Sequence, residues 1–251
     1  MKDRHGREID YLRISITDRC NLRCTYCMPE EGIEQQLRHE DLLSYEEILR
    51  LARCFAALGI RKIKLTGGEP LVRLGCCDLV RQLKALPGIE QVTITTNGVL
   101  LAEMAEDLIA AGIDGINVSL DTVEREIFAQ ITRRDYFDKV MAGLERVKEL
   151  QFSNLKINCV PIVQFNGDQI VKLAQQAQDY PLAVRFIELM PIGIAVNYKG
   201  VTNEEILATI KEHYKEVIEV KRSKMGGPAT YVKLNEAKGK IGFISAMSNC
   251  F

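Results

Sequence analysis

The sequence predicts a parallel α/β fold, and three observations carry that prediction. Short β-rich runs alternate with longer helical patterns from Tyr11 to Leu189. The starts of the β runs recur at a spacing of roughly 30 residues, as βα units require. The order is strict, and strict alternation builds a parallel sheet, closed as a barrel or doubly wound.

The elements follow in order. Tyr11-Leu-Arg-Ile-Ser-Ile-Thr17 alternates at period two, as a strand with two unlike faces does. Ser44 with Glu47 forms a capping-box pattern that opens a helix to Leu58, where Gly59 stops it. Lys62 to Thr66 reads as a strand, and Cys77 to Ala85 as a helix closed by Pro87-Gly88. A strand at Gln91 to Thr95, a helix at Leu101 to Ala111 and a strand at Gly115 to Leu120 come next. Tyr136 to Leu150 is helical, with Phe137, Val140, Leu144 and Val147 on one face. Leu155 to Val160 is a strand, Asp168 to Gln178 a helix and Ala183 to Leu189 the sixth strand. After Pro191 the rhythm changes. Thr202 to Tyr214 reads as a helix, and Val217 to Lys221, Thr230 to Leu234 and Lys240 to Ser245 as short strands. The expected division is therefore an α/β body over residues 1–191 and an appended α+β region over 192–251.

Composition narrows the function. With 33 Lys plus Arg against 34 Asp plus Glu, the net charge is −1, so no global basic field points to nucleic acid or an anionic membrane. No stretch approaches the roughly 18 apolar residues of a membrane span. The amino terminus, MKDRHGREIDY, lacks the apolar run of a signal peptide, so a cytoplasmic protein is expected. Eight cysteines are then better read as ligands or nucleophiles than as disulfides.

Cys20, Cys24 and Cys27 form C-x3-C-x2-C directly after the first strand. Structural zinc normally takes four ligands in two pairs, and no second pair is present. An iron–sulfur cube is normally held by four thiolates, so three would leave one iron open to a ligand. Asn21, Arg23 and Thr25 between the cysteines make a poor core segment. Cys54, Cys76, Cys77 and Cys159 sit in helical or strand patterns that suit packing.

These residues carry a resemblance. Cys20-Asn-Leu-Arg-Cys24-Thr-Tyr-Cys27 resembles the signature of the radical S-adenosylmethionine (SAM) superfamily. Leu12-Arg-Ile-Ser-Ile-Thr-Asp-Arg-Cys20, Cys27-Met-Pro29, Leu65-Thr-Gly-Gly-Glu-Pro70, Thr95-Thr-Asn-Gly98, Val118-Ser-Leu-Asp121, Ile131-Thr-Arg-Arg-Asp135 and Arg185-Phe-Ile-Glu-Leu-Met190 resemble one family within it, the GTP 3′,8-cyclases of molybdenum cofactor biosynthesis (the MoaA family). The resemblance implies a partial (βα)6 barrel of the radical SAM type, with the appended region incomplete. It implies one 4Fe-4S cluster on Cys20, Cys24 and Cys27, whose open iron is chelated by SAM. One-electron reduction then yields a 5′-deoxyadenosyl radical.

The resemblance also assigns contacts. Gly68 would meet the SAM amino end, with Glu69 helping to orient it. Tyr26 would touch the adenine through its backbone, Ser119 the ribose or methionine part, and Met190 the adenine face. Arg13, Lys64, Thr95 and Lys156 would contact GTP. Lys64 stands where the family usually has Arg, keeping the charge but losing the bidentate fork. There is no G-x4-G-K-[ST], so GTP is not held by a P-loop, and no G-x-G-x-x-G for a dinucleotide. Arg73 is a further cation with no assigned role. No protein side chain is expected to be catalytic beyond the cluster and the SAM-derived radical. Implied partners are an electron donor such as a flavodoxin or ferredoxin, a downstream cyclic pyranopterin monophosphate synthase, and a second copy in a homodimer. The competing readings are another radical SAM enzyme or a non-catalytic Fe–S binding fragment.

At the carboxyl end, Ile244-Ser-Ala-Met-Ser-Asn-Cys-Phe251 stops where the family continues into a second cysteine set. Cys250 occupies a variable position in that register. The 251 residues are thus expected to bind one cluster and SAM, with cyclase activity impaired. Anaerobic reconstitution should load about four irons per chain. About eight would contradict this.

Overall fold

The computed structural model describes residues 2–33, 35–220 and 229–245. By hydrogen bonding, its nine strands follow the order β1-β2-β3-β4-β5-β6-β9-β8-β7, with β1 and β7 at the two ends. This is the expected α/β class, with the sequential order β1 to β6 of successive βα units. The expectation for Cys250 lies outside the described residues.

The chain divides into two compact units. The first comprises Met1–Asn21, Glu34–Asn117 and Asp138–Asn154. It holds strands β1 (Tyr11–Ser15), β2 (Lys62–Thr66), β3 (Gln91–Thr96) and the start of β4 (Gly115–Ser119), with helices α1 (Tyr45–Ala57), α2 (Cys76–Lys84) and α3 (Leu101–Ala110). The capping box at Ser44 forms as predicted: Ser44 accepts from Glu47 N–H and the Glu47 side chain accepts from Ser44 N–H. Gly59 follows α1 at φ +103°, a conformation that L side chains rarely adopt. Ile63, Leu65, Val92 and Ile94 form the buried face of β2 and β3, and α2 packs on α1, α3 and β3. The opposite face is polar. Parallel register sets Arg13 beside Lys64 and Lys64 beside Thr93 in one row.

The second unit comprises Leu22–Ile33, Val118–Phe137 and Leu155–Phe251. It holds α4 (Arg125–Thr132), the start of α5 (Phe137–Glu149), β5 (Leu155–Cys159), α6 (Ile170–Asp179), β6 (Ala183–Ile187), α7 (Asn203–His213), β7 (Val217–Val220), β8 (Thr230–Leu234) and β9 (Lys240–Ile244). Helix α4 departs from the sequence reading, which placed one helix, Tyr136 to Leu150, between β4 and β5. Instead Ile131 and Thr132 close a separate helix and Phe137 opens the next. Helix α4 has eight residues and no side-chain N-cap, so its start carries no local signal. The three late strands extend a sheet. β9 pairs parallel to β6, while β8 and β7 follow antiparallel. Ile157, Val184, Phe186, Ile241, Leu173 and Ile210 lie in its core.

Candidate functional site

In the first unit, the loop after β1 is shaped by the Gly67-Gly68 turn. Gly68 N–H donates to the Thr17 carbonyl at 2.8 Å, and Glu69 N–H to the Arg19 carbonyl at 2.8 Å. A Cβ at Gly68 would run into the Arg19 carbonyl and come within 2.7 Å of the Asp18 carbonyl. Only glycine fits so close to another backbone. The turn therefore braces the residues that lead into Cys20.

Glu69, expected to help orient SAM, also ties two motifs together. One carboxylate oxygen accepts from Leu71 N–H at 3.0 Å and the Thr96 hydroxyl at 2.7 Å. The other accepts from Asn97 N–H at 2.6 Å. It is buried and committed to joining Gly-Gly-Glu-Pro to Thr-Thr-Asn-Gly; burial raises its pKa and these bonds pull it back. Asn97 carries the chain of contacts onward. Its amide nitrogen lies 3.8 Å from Cys20 Sγ and 2.7 Å from Asn21 Oδ1. Arg73 is structural as well: it donates to the Ile16 and Leu43 carbonyls at 2.6 and 2.7 Å and stacks over Tyr45.

In the second unit, Cys24 and Cys27 share a turn. Cys27 N–H and Met28 N–H both donate to the Cys24 carbonyl, at 2.9 and 3.1 Å. Between them, the Tyr26 hydroxyl donates to Asp121 at 2.7 Å. The other Asp121 oxygen accepts from Val160 N–H at 2.8 Å. Asn166 in turn donates to the Asp121 carbonyl at 2.7 Å. Burial lifts the Asp121 carboxyl to about 6, and the two hydrogen bonds it accepts oppose that rise. Sequence reasoning had not given Asp121 this role. Its signals were an acid just past the fourth β run and a place in the Val118-Ser-Leu-Asp121 motif.

The remaining predicted residues lie within strands or just past them. Arg13 and Lys64 are register partners, and Thr95 lies two residues beyond Thr93 on the same strand. Ser119 is exposed at the end of β4, and Met190, 48% exposed, lies three residues past β6. Lys156 on β5 is half-buried. Burial first, then the charges of Arg185 and Lys240, lower its pKa to about 8. Register puts Lys156, Ala183 and Lys240 in one row and Asn158, Arg185 and Gly242 in the row two residues on. Arg185 donates to Asn158 at 2.9 Å. Arg185 was not singled out from sequence, although it is a cation between the fully buried Val184 and Phe186.

The seven described cysteines are free thiols. Cys76 and Cys159 are buried, and burial pushes the Cys76 thiol to about 12, so both are inert packing residues. Cys54 instead faces solvent, so it is not packed as its apolar neighbours suggested. Cys20, Cys24 and Cys27 are partly or fully exposed. Among the described residues, no three His, Cys, Asp or Glu side chains converge tightly enough to enclose one metal ion. A 4Fe-4S cube does not ask for that, because its three thiolates bond three different irons. Each of Cys20, Cys24 and Cys27 is a thiol that solvent reaches, the donor chemistry such a cube takes, and an amide donor faces Cys20. Among the described residues, no helix is long and apolar enough to cross a membrane.

Comparison with known proteins agrees with this geometry. Residues 14–177 match the Radical SAM superfamily, and residues 182–251 match Molybdenum Cofactor Synthesis C. A GTP 3′,8-cyclase from Clostridium perfringens (strain 13 / Type A) is 47% identical over 251 residues, spanning 100% of this chain and 77% of that protein. One from Syntrophomonas wolfei is 46% identical over 255 residues, with the same two coverages. Among solved structures, Streptococcus suis SuiB bound to S-adenosylmethionine superposes with a TM-score of 0.69 at 16% identity, over 96% of this chain and 51% of that one. TYW1 with a lysine-pyruvate adduct bound reaches 0.65 at 16% identity, over 92% and 81%. At such identities these two speak for the fold alone. The signature cysteines, the braced glycine turn and the full-length identity together show that the chain belongs to the radical SAM superfamily and, within it, to the GTP 3′,8-cyclase family.

Proposed function

We propose that this protein is a GTP 3′,8-cyclase of molybdenum cofactor biosynthesis. The observation that carries the reading is 47% identity over all 251 residues to an enzyme of that name. In support, the quoted motifs, apart from Ile131-Thr-Arg-Arg-Asp135, run along strands or through the loops that follow them.

When bound, the 4Fe-4S cluster and SAM supply an electron and an adenosyl radical that takes hydrogen from carbon. The rest is the work of this chain. Cys20, Cys24 and Cys27 are the proposed cluster ligands. Gly68 is the proposed contact for the amino end of SAM, Tyr26 and Met190 for its adenine, and Ser119 for its ribose or methionine part. Arg13, Lys64, Thr95 and Lys156 would fix GTP so that its ribose C3′ and guanine C8 are held for ring closure. Flavodoxin or ferredoxin as electron donor, a downstream cyclic pyranopterin monophosphate synthase, a homodimer and a cytoplasmic setting complete the proposal.

GTP deuterated at C3′ tests it under anaerobic reduction. Deuterium should appear in 5′-deoxyadenosine. SAM cleavage that is indifferent to GTP, with no transfer of label, would favour another radical SAM enzyme.

The pKa of Lys156 makes a separate prediction. Because burial lowers it to about 8, the ammonium is charged below that pH and neutral above it. A polyphosphate binds the charged form, so GTP affinity should fall as pH rises from about 8 to 9.5, by up to about tenfold per unit. Equilibrium dialysis should show this slope in wild type and lose it in Lys156→Arg, which stays charged. A slope retained in Lys156→Met would refute the assignment.

A further inference from the structure

Ile131-Thr-Arg-Arg-Asp135 is the motif that the binding of SAM and GTP leaves unexplained. In the structure it is tied to the cysteine loop. Arg23 N–H donates to the Thr132 carbonyl at 3.0 Å, and Thr25 N–H to the Ile131 carbonyl at 2.9 Å. Arg133 then reaches back along the loop. Its Nη1 donates to the Arg23 carbonyl at 3.1 Å and to the Met28 carbonyl at 3.2 Å. Those two carbonyls bracket Cys24 and Cys27. Glu30, 4.0 Å from Arg133 Nε and largely exposed, is a loose partner by comparison.

The backbone of Arg133 is unusual in its own right. It caps α4 in the left-handed region, at φ 55° and ψ 27°, with its N–H donating to the Ala129 carbonyl. Glycine takes this conformation at little cost, whereas a side chain with a Cβ does not. A non-glycine residue persists there when its surroundings hold it, and such positions gather at functional sites. Here the surroundings are the loop itself. The guanidinium has two carbonyls to satisfy, and hydrogen bonds from a charged donor are the stronger kind.

We infer that Arg133 is a positioning residue for the iron–sulfur site: it clamps the Arg23 and Met28 carbonyls and sets the Cys24–Cys27 turn before a cluster arrives. The inference rests on Cys24 and Cys27 being ligands. Without the clamp the turn would sample several conformations, and ligation would have to order it.

Arg133→Gly in the full chain separates backbone from side chain, because glycine suits the left-handed cap while the guanidinium is lost. In the apo protein, amides of residues 23–28 should exchange hydrogen about tenfold faster or more, with the melting temperature unchanged or raised. After anaerobic reconstitution, a chelator should strip iron from the variant several-fold faster than from wild type. Arg133→Lys, which keeps the charge without the fork, should fall between the two. Wild-type exchange with wild-type iron retention overturns the inference. So does faster exchange across the whole protein, which would make Arg133 a prop of the fold. Should Arg133→Gly not fold, the Lys variant decides: faster loop exchange at an unchanged melting temperature supports the clamp, and wild-type loop exchange refutes it. Failure of the ligand assignment is distinguishable, since Cys24→Ala would then hold its full iron whatever the exchange data show.

Discussion

Replacing Cys24 by alanine is expected to leave the fold in place and to abolish both iron binding and SAM cleavage. The Cys24 carbonyl, not its thiol, accepts the N–H groups of Cys27 and Met28, so alanine keeps the turn. The thiol is partly exposed, so its loss should cost under about 1 kcal/mol of stability. What disappears is one of the three proposed thiolate ligands. Iron per chain after reconstitution should drop from about four to near zero, and 5′-deoxyadenosine should fall to background. Near-normal iron in a variant with a wild-type melting curve would reassign the site.

Gly68→Ala should be nearly as damaging, for a steric reason. The added methyl group would lie against the Arg19 and Asp18 carbonyls, both backbone atoms that cannot rotate away. Relief requires the turn to move, which breaks the bonds from Gly68 and Glu69 to Thr17 and Arg19. Overpacking of this kind costs about 1–3 kcal/mol. The strain falls on the residues entering Cys20 and on the backbone proposed to receive SAM. SAM affinity, measured by equilibrium dialysis on the reconstituted protein, should weaken by at least about tenfold. Wild-type affinity in Gly68→Ala would remove Gly68 from the SAM site.

The fold was largely legible because its signals are local. Ser44 and Glu47 announce a helix by capping chemistry, and Gly59 ends it at a positive φ. Alternation in Lys62–Thr66 places Ile63 and Leu65 inward. The cysteine spacing pointed to a ligand set, since three thiols in eight residues have few other uses. Helix α4 escaped because it is short and lacks a capping side chain.

The partners were not legible, because they are distant in the chain. Nothing in the local pattern of Glu69 shows that its oxygens accept from Leu71, Thr96 and Asn97. Arg73 looked like a spare cation, yet it holds two backbone carbonyls. The pairing of Tyr26 with Asp121 spans 95 residues, and that of Arg133 with Arg23 spans 110. A residue pattern records what a side chain is able to do, because spacing along a strand, a cap or a loop is set by local geometry. Tertiary structure decides which partners it meets, because groups far apart in the chain are brought within hydrogen-bond distance only by folding. By itself, then, this sequence determined an α/β chain with three cluster-type cysteines. Only the folded chain decided which distant groups hold the loop that bears those cysteines, because those partners meet only on folding.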